Sequence, residues 1–161
     1  MPPEATGVEL PGGVSLRWEA SDSGVPVWHL DGNVDWDAYQ SLQVISAGVE
    51  GDTLMLAALR PAGAEGHDSD LVAVGFTRAA DAEQGAVDHA LLSVEHGPDG
   101  AMRRIGVELW LGDGTALRVA ANRESEGEVV EDGGVRRQAT PLRVRLEGRE
   151  GHGAYDLVTP A

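Results

Sequence analysis

The sequence predicts an all-β domain of about nine or ten antiparallel strands, closed into a barrel or flattened into a β-sandwich. Three observations carry that expectation. Apolar and polar residues alternate with period two over long stretches, as in strands with one buried face. Short Gly- and Asp-rich turns separate these stretches. Several segments are apolar on both faces, which requires cover on both sides.

Residues 1–13 hold three prolines and three glycines and read as a flexible or loosely docked N-terminal arm, leaving 14–161 as a single β domain. Val14, Leu16 and Trp18 then alternate with Ser15, Arg17 and Glu19. Further on, Ile105, Val107, Leu109 and Leu111 alternate with Gly106, Glu108 and Trp110. The same pattern sets Leu117, Val119 and Ala121 against Arg118 and Ala120, and Leu142, Val144 and Leu146 against Arg143 and Arg145. Hairpin chemistry marks Glu50-Gly-Asp52, Gly97-Pro-Asp-Gly100, Gly112-Asp-Gly114 and Asp132-Gly-Gly134. Ala79 to Gln84 reads as a short helical turn. Pro61 to Asp70 and Asn122 to Pro141 read as long loops, the second strongly acidic. The doubly apolar runs are Leu54 to Leu59, Leu71 to Phe76 and Ala90 to Val94. Their second face meets either a ligand cavity, or loops, or another subunit.

Composition narrows the function classes. The 161 residues carry a net charge of −15, and all twelve basic residues are arginines. Such a surface repels phosphate backbones and anionic membranes, so neither nucleic acid nor membrane is an expected partner. There is no cysteine, which excludes disulfides and thiolate chemistry. The N-terminus lacks the basic and apolar regions of a signal peptide, and no run reaches the length of a membrane helix. A cytoplasmic location is the expectation.

Chemistry concentrates in Trp28-His-Leu-Asp-Gly-Asn-Val-Asp-Trp36. Asp31, Asn33, Asp35 and Asp37 imitate the start of a calcium loop, but Trp36 and Leu42 stand where that loop needs glycine and glutamate. His29, His67, His89, His96 and His152 show no zinc spacing, and no metal or cofactor is expected. Gly151-His-Gly153 lacks the context of a nucleotide fingerprint and suits a tight turn or bulge. In an extended chain His29, Asp31, Asn33 and Asp35 share one face, while Trp28, Leu30 and Trp36 share the other, with Gly32 as a kink. Asp31 or Asp35 beside His29 would make it an oriented, more basic imidazole. Alternatively, the tryptophans are core anchors and His29 is a satisfied polar residue at a strand end.

The pattern His29-Leu-Asp-Gly32-Asn-Val-Asp35-Trp36 resembles a signature of the lipocalin-like superfamily of AttH-type proteins and carotenoid 1,2-hydratases. The similarity continues through Glu50-Gly-Asp52 to Pro61, the Asp99-Gly100 and Asp113-Gly114 turns, and the close at Gly151-His-Gly-Ala-Tyr-Asp156. It departs at Asp31 and Val34, where the family often has tryptophan and arginine, and the chain has room for one of the usual two halves. The resemblance implies a lipocalin-like barrel holding an apolar small molecule, isoprenoid, steroid-like or polyketide-like, alone or as a homodimer. It implies His29 and Asp35 as catalytic residues for hydration, isomerisation or cyclisation, and Trp28, Trp36 and Tyr155 as ligand-binding residues. The alternative is a non-catalytic accessory domain whose apolar strands form a subunit interface.

Overall fold

In the computed structural model of the protein, the described residues are 6–10, 12–19, 21–22, 24–63, 71–77, 84–85, 87–112 and 114–160. Among them every regular element is a β-strand, and every strand pair is antiparallel. Among the described residues no helix is long and apolar enough to cross a membrane. Strands β1 (Thr6–Leu10), β2 (Val14–Glu19) and β3 (Val27–Asp31) make a small sheet in that order. The large sheet contains β4 (Tyr39–Val49), β5 (Asp52–Pro61), β6 (Leu71–Thr77), β7 (Gln84–Gly85), β8 (Val87–His96), β9 (Met102–Leu111), β10 (Ala116–Arg123), β11 (Glu128–Asp132), β12 (Val135–Leu146) and β13 (Arg149–Pro160).

Its order is β7-β6-β5-β4-β13-β12-β10-β9-β8, with β11 branching off β12. The chain therefore runs up and down around a barrel that joins its ends through the β4–β13 pair. β6 comes back close to β8, leaving the barrel nearly closed along that seam. Full or near closure removes most exposed strand edges.

β5, the first of the doubly apolar runs, and its neighbour β4 are buried on both faces, whereas Leu71, Val72 and Leu91 of the other two runs are exposed. Ile45, Leu54, Leu56, Phe76, Ile105, Leu109, Leu142 and Val144 form the barrel interior. Leu42, Val44, Met55, Ala57, Leu59 and Val158 point outward and pack against Leu10, Val14, Leu16 and Trp18 of the small sheet. The chain's own N-terminal sheet thus covers the second face of β4 and β5. Leu16, Leu42, Leu56 and Leu59 are each fully buried, worth about 1.5–3 kcal/mol apiece in transfer from water. At Gly48 an added Cβ would collide with the carbonyl oxygen of Gly24, so glycine lets the β2–β3 connection rest directly on β4.

Three two-residue turns set the register. Glu50-Gly51, Gly133-Gly134 and Glu147-Gly148 all have positive φ, 47° and 87°, 60° and 82°, 53° and 76°. This is the type I′ geometry that matches strand twist. Arg149 ties two of these turns together, reaching Asp52 at 2.6 Å, Glu147 at 3.2 Å and Glu50 at 3.3 Å. Hydrogen bonds and attraction from Asp52 and Glu50 push its pKa further above its ordinary value.

Two local expectations change, and two others fall mostly outside the described residues. Thr6–Leu10, read as part of a flexible arm, is strand β1, paired with β2 from Thr6↔Trp18 to Leu10↔Val14. Its alternation of Val8 and Leu10 with Gly7 and Glu9 was obscured by the surrounding prolines and glycines. Asn122 to Pro141, read as a loop, contains the β11–β12 hairpin. Val129 and Val130 favour extended backbone, Glu131 faces Arg136 across the ladder, and Gly133-Gly134 makes the turn. The helical turn expected at Ala79 to Gln84 lies outside the described residues up to 83, and Gln84 opens β7. Of the loop expected at Pro61 to Asp70, Pro61 ends β5, and 64–70 lie outside the described residues.

Candidate functional site

Strand alternation divides the Trp28–Trp36 segment. Trp28 and Leu30 face the barrel wall and pack into the outer core, whereas Val27, His29 and Asp31 face away from it. His29 lies opposite Arg17, its side chain 53% exposed, with Nε2 3.6 Å from Glu19 Oε1. The carboxylate beside it is thus Glu19 of β2, not Asp31 or Asp35. Asp31 is instead held by Arg17, whose Nη2 donates to Oδ1 at 3.2 Å while Nε also pairs with the carboxylate. That pairing raises the Arg17 pKa. Gly32, at φ 94°, turns the chain out of the strand.

Asp35 organises the following turn. Its Oδ1 accepts from the Asp37 N–H at 3.0 Å, and its carbonyl accepts from Ala38 and Tyr39, both at 3.0 Å. This is an Asx-type turn leading into β4. Trp36 packs against the same outer core as Trp28. The structure therefore brings the two tryptophans onto one apolar layer and leaves His29 on the opposite face of the small sheet.

Around Trp28 lies a group that sequence reasoning missed. Its indole Nε1 donates to Asp156 Oδ2 at 3.0 Å, and Arg137 Nε donates to Asp156 Oδ1 at 3.1 Å. The Arg137 guanidinium also lies over the indole, 4.4 Å from the ring centroid, a cation–π arrangement. Asp156 is 1% exposed. β12 and β13 position the pair: Asp156 is opposite Ala139, which puts Arg137 on the diagonal of the same outer face. The available signal was the Tyr155-Asp156 dipeptide, whose members must point to opposite sides of a strand.

Tyr155 points inward. It is buried, and its hydroxyl donates to Gln43 Oε1 at 2.6 Å. It lines a cavity of about 330 Å³ at one end of the barrel, together with Met102, Leu157, Thr140, Gln138, His96, Asp99, Arg123 and Glu126. The β8–β9 turn and the chain entering β11 bound this mouth. Met102 and Tyr155 belong to the interior core and Leu157 packs against it, so the base is apolar. The rim carries the imidazole, guanidinium, carboxylate and amide groups. Trp28, His29, Asp35 and Trp36 are not part of its lining.

The sequence matches no family model, and no curated protein matches it.

Proposed function

We propose that this domain binds a small, largely apolar molecule at this end of the barrel, anchored at Tyr155. The supporting observation is the two-tier mouth, with Tyr155, Met102 and Leu157 below and His96, Arg123, Glu126 and Gln138 above. Apolar side chains at the base beneath a mostly polar rim suit a small molecule with an apolar body and a polar end, and about 330 Å³ lies at the lower end of small-molecule sites. The class put forward is isoprenoid, steroid-like or polyketide-like, with a polar end for the rim. Kinship with AttH-type proteins and carotenoid hydratases belongs to the same proposal, supported by the near-closed antiparallel barrel and the His29-to-Trp36 pattern.

Binding, not turnover, is the activity proposed. Acid-catalysed hydration of an alkene needs a proton donor beside a dry aromatic wall. His29 is solvent-exposed on the face turned away from Trp28, and Asp35 serves its turn. For β4 and β5 an interface role is less favoured, because the small sheet already covers their outer faces, whereas Leu71 and Val72 of β6 and Leu91 of β8 remain exposed.

Methionine-methyl NMR tests the reading. Met102 lines the mouth, whereas Met55 lies under the small sheet and serves as an internal reference. Titration with farnesol, a steroid and a flavonoid-type polyketide should shift the Met102 methyl saturably and leave Met55 unmoved. Tyr155→Phe should weaken that response. Silence at Met102 with every ligand, or a response confined to Met55, would overturn the proposal.

A further inference from the structure

The outer wall formed by β9, β10, β12 and β13 carries a second constellation. Ladder pairing puts Arg104, Asn122, Arg143 and His152 in one outward row. Gly106, Ala120, Arg145 and Glu150 form the next. Between the rows is a notch of about 340 Å³, lined by Arg104, Asn122, Arg143, Arg145, Glu150 and Ala120, with Val144 at its base. The small side chain of Ala120 keeps it open, and Gly106 beside it adds none. A Cβ at Gly106 would meet nothing nearer than Ser93 at 4.0 Å, so packing does not demand glycine there.

On a chain of net charge −15, this lining sets three guanidiniums against one carboxylate. Glu150 holds Arg145 at 3.3 Å. Glu124, outside the lining, lies 3.7 Å from Arg143 and 3.6 Å from His152 Nδ1. Glu95 faces Arg104 across the ladder without forming an ion pair. Arg104 donates from Nε to the neutral Asn122 Oδ1 at 3.2 Å, which orients its fork and turns the Asn122 amide nitrogen away from that contact. Guanidinium forks bind oxyanions with paired, charge-assisted hydrogen bonds. A planar carboxylate satisfies one fork, whereas a tetrahedral group offers oxygens to Arg104, Arg143 and Arg145 from separate sides.

We infer that this notch is an anion subsite for the phosphate group of a small molecule, independent of the barrel mouth. The full-length protein, at low ionic strength, is titrated with inorganic phosphate, glycerol phosphate and acetate, and arginine Nε–Hε resonances are followed by NMR. Both phosphates should shift Arg104, Arg143 and Arg145 saturably, while Arg118 and Arg149, engaged by their own carboxylates, stay put. The tighter of the two distinguishes an ester from free phosphate as the natural occupant. Arg104→Gln and Arg143→Gln should each weaken binding roughly tenfold, the scale of one charge-assisted contact. Ala120→Gln should block the notch with all three arginines in place, and Glu150→Gln should tighten binding by freeing Arg145. The inference is overturned by an absent or non-saturating response, or by Arg118 responding in parallel. It is equally overturned by acetate matching phosphate, by wild-type affinity in Ala120→Gln, or by unchanged or weaker affinity in Glu150→Gln.

Discussion

Replacing Arg137 by Met should loosen the small sheet from the barrel before it damages the barrel itself. Asp156 is 1% exposed and has two donors, the Trp28 indole at 3.0 Å and the Arg137 guanidinium at 3.1 Å. Methionine keeps much of the apolar stem but removes the charge, leaving a buried carboxylate with the indole alone. Breaking a fully buried pair costs about 3–5 kcal/mol. Arg137 is 46% exposed, so screening reduces the effect. A loss of about 1.5–2 kcal/mol, the lower range for a hydrogen bond to a charged group, is expected. Trp28→Phe keeps the ring but removes the N–H, and should cost about the same. Because both side chains serve one carboxylate and stack on each other, the double variant should be non-additive, with a coupling energy of about 0.5–3 kcal/mol. Urea unfolding followed by far-ultraviolet circular dichroism measures each value, and for a slope of about 1–3 kcal/mol per molar the single variants should move the midpoint by roughly 0.5–2 M. Hydrogen exchange should accelerate more in β1–β3 than in β9 and β10, since local opening releases the small sheet first. A loss below about 0.5 kcal/mol for Arg137→Met, within the range of an ordinary surface change, together with additive behaviour, would refute the reasoning.

Gly48→Ala should destabilise by about 1–3 kcal/mol, the usual cost of overpacking, because its Cβ meets the Gly24 carbonyl; wild-type stability in urea would count against direct docking of the β2–β3 connection. Arg149→Gln should lower the unfolding midpoint, since Asp52, 5% exposed, loses its cation. Arg149's pKa is raised on folding, so its contribution is complete below its unfolded value and falls only as pH rises through the folded one. The difference from wild type should therefore be equal at pH 6 and pH 9, and a difference that changes across that window would contradict the assignment. Glu50→Asn should stabilise by about 0.5–1 kcal/mol in thermal unfolding, because Asn-Gly suits a type I′ turn better than a glutamate at φ 47°; a lower melting temperature would show that the contact with Arg149 outweighs backbone relief.

Much of the barrel was legible. The period-two runs of β9, β10 and β12 point their apolar residues into the barrel, and that of β2 points its own onto the barrel's outer wall. Glu50-Gly51 and Gly133-Gly134 turn where turn chemistry placed them. The β11–β12 hairpin was hidden by its many carboxylates, which resemble a solvated loop although every residue of β11 has a ladder partner on β12. The site was less legible. Trp28 and His29 are neighbours in sequence and, for that reason, on opposite faces of β3. Tyr155 was singled out, but its companions at the mouth come from β8, β9, β12 and the chain entering β11. Asp156 and Arg137 meet Trp28 across more than a hundred residues of chain.

Apart from β1 and β11, the sequence by itself determined most of the strands and turns and which residues share a face. These follow from backbone geometry and local hydrophobic patterning, which act over a few residues. Only the tertiary structure decided what covers each face. β4 and β5 are apolar on both sides because one side is the barrel interior and the other receives the N-terminal sheet. Alternation says that a face must be buried, but the burying surface is selected by long-range register and chain return. The same return assembles the mouth around Tyr155 and turns His29 toward solvent.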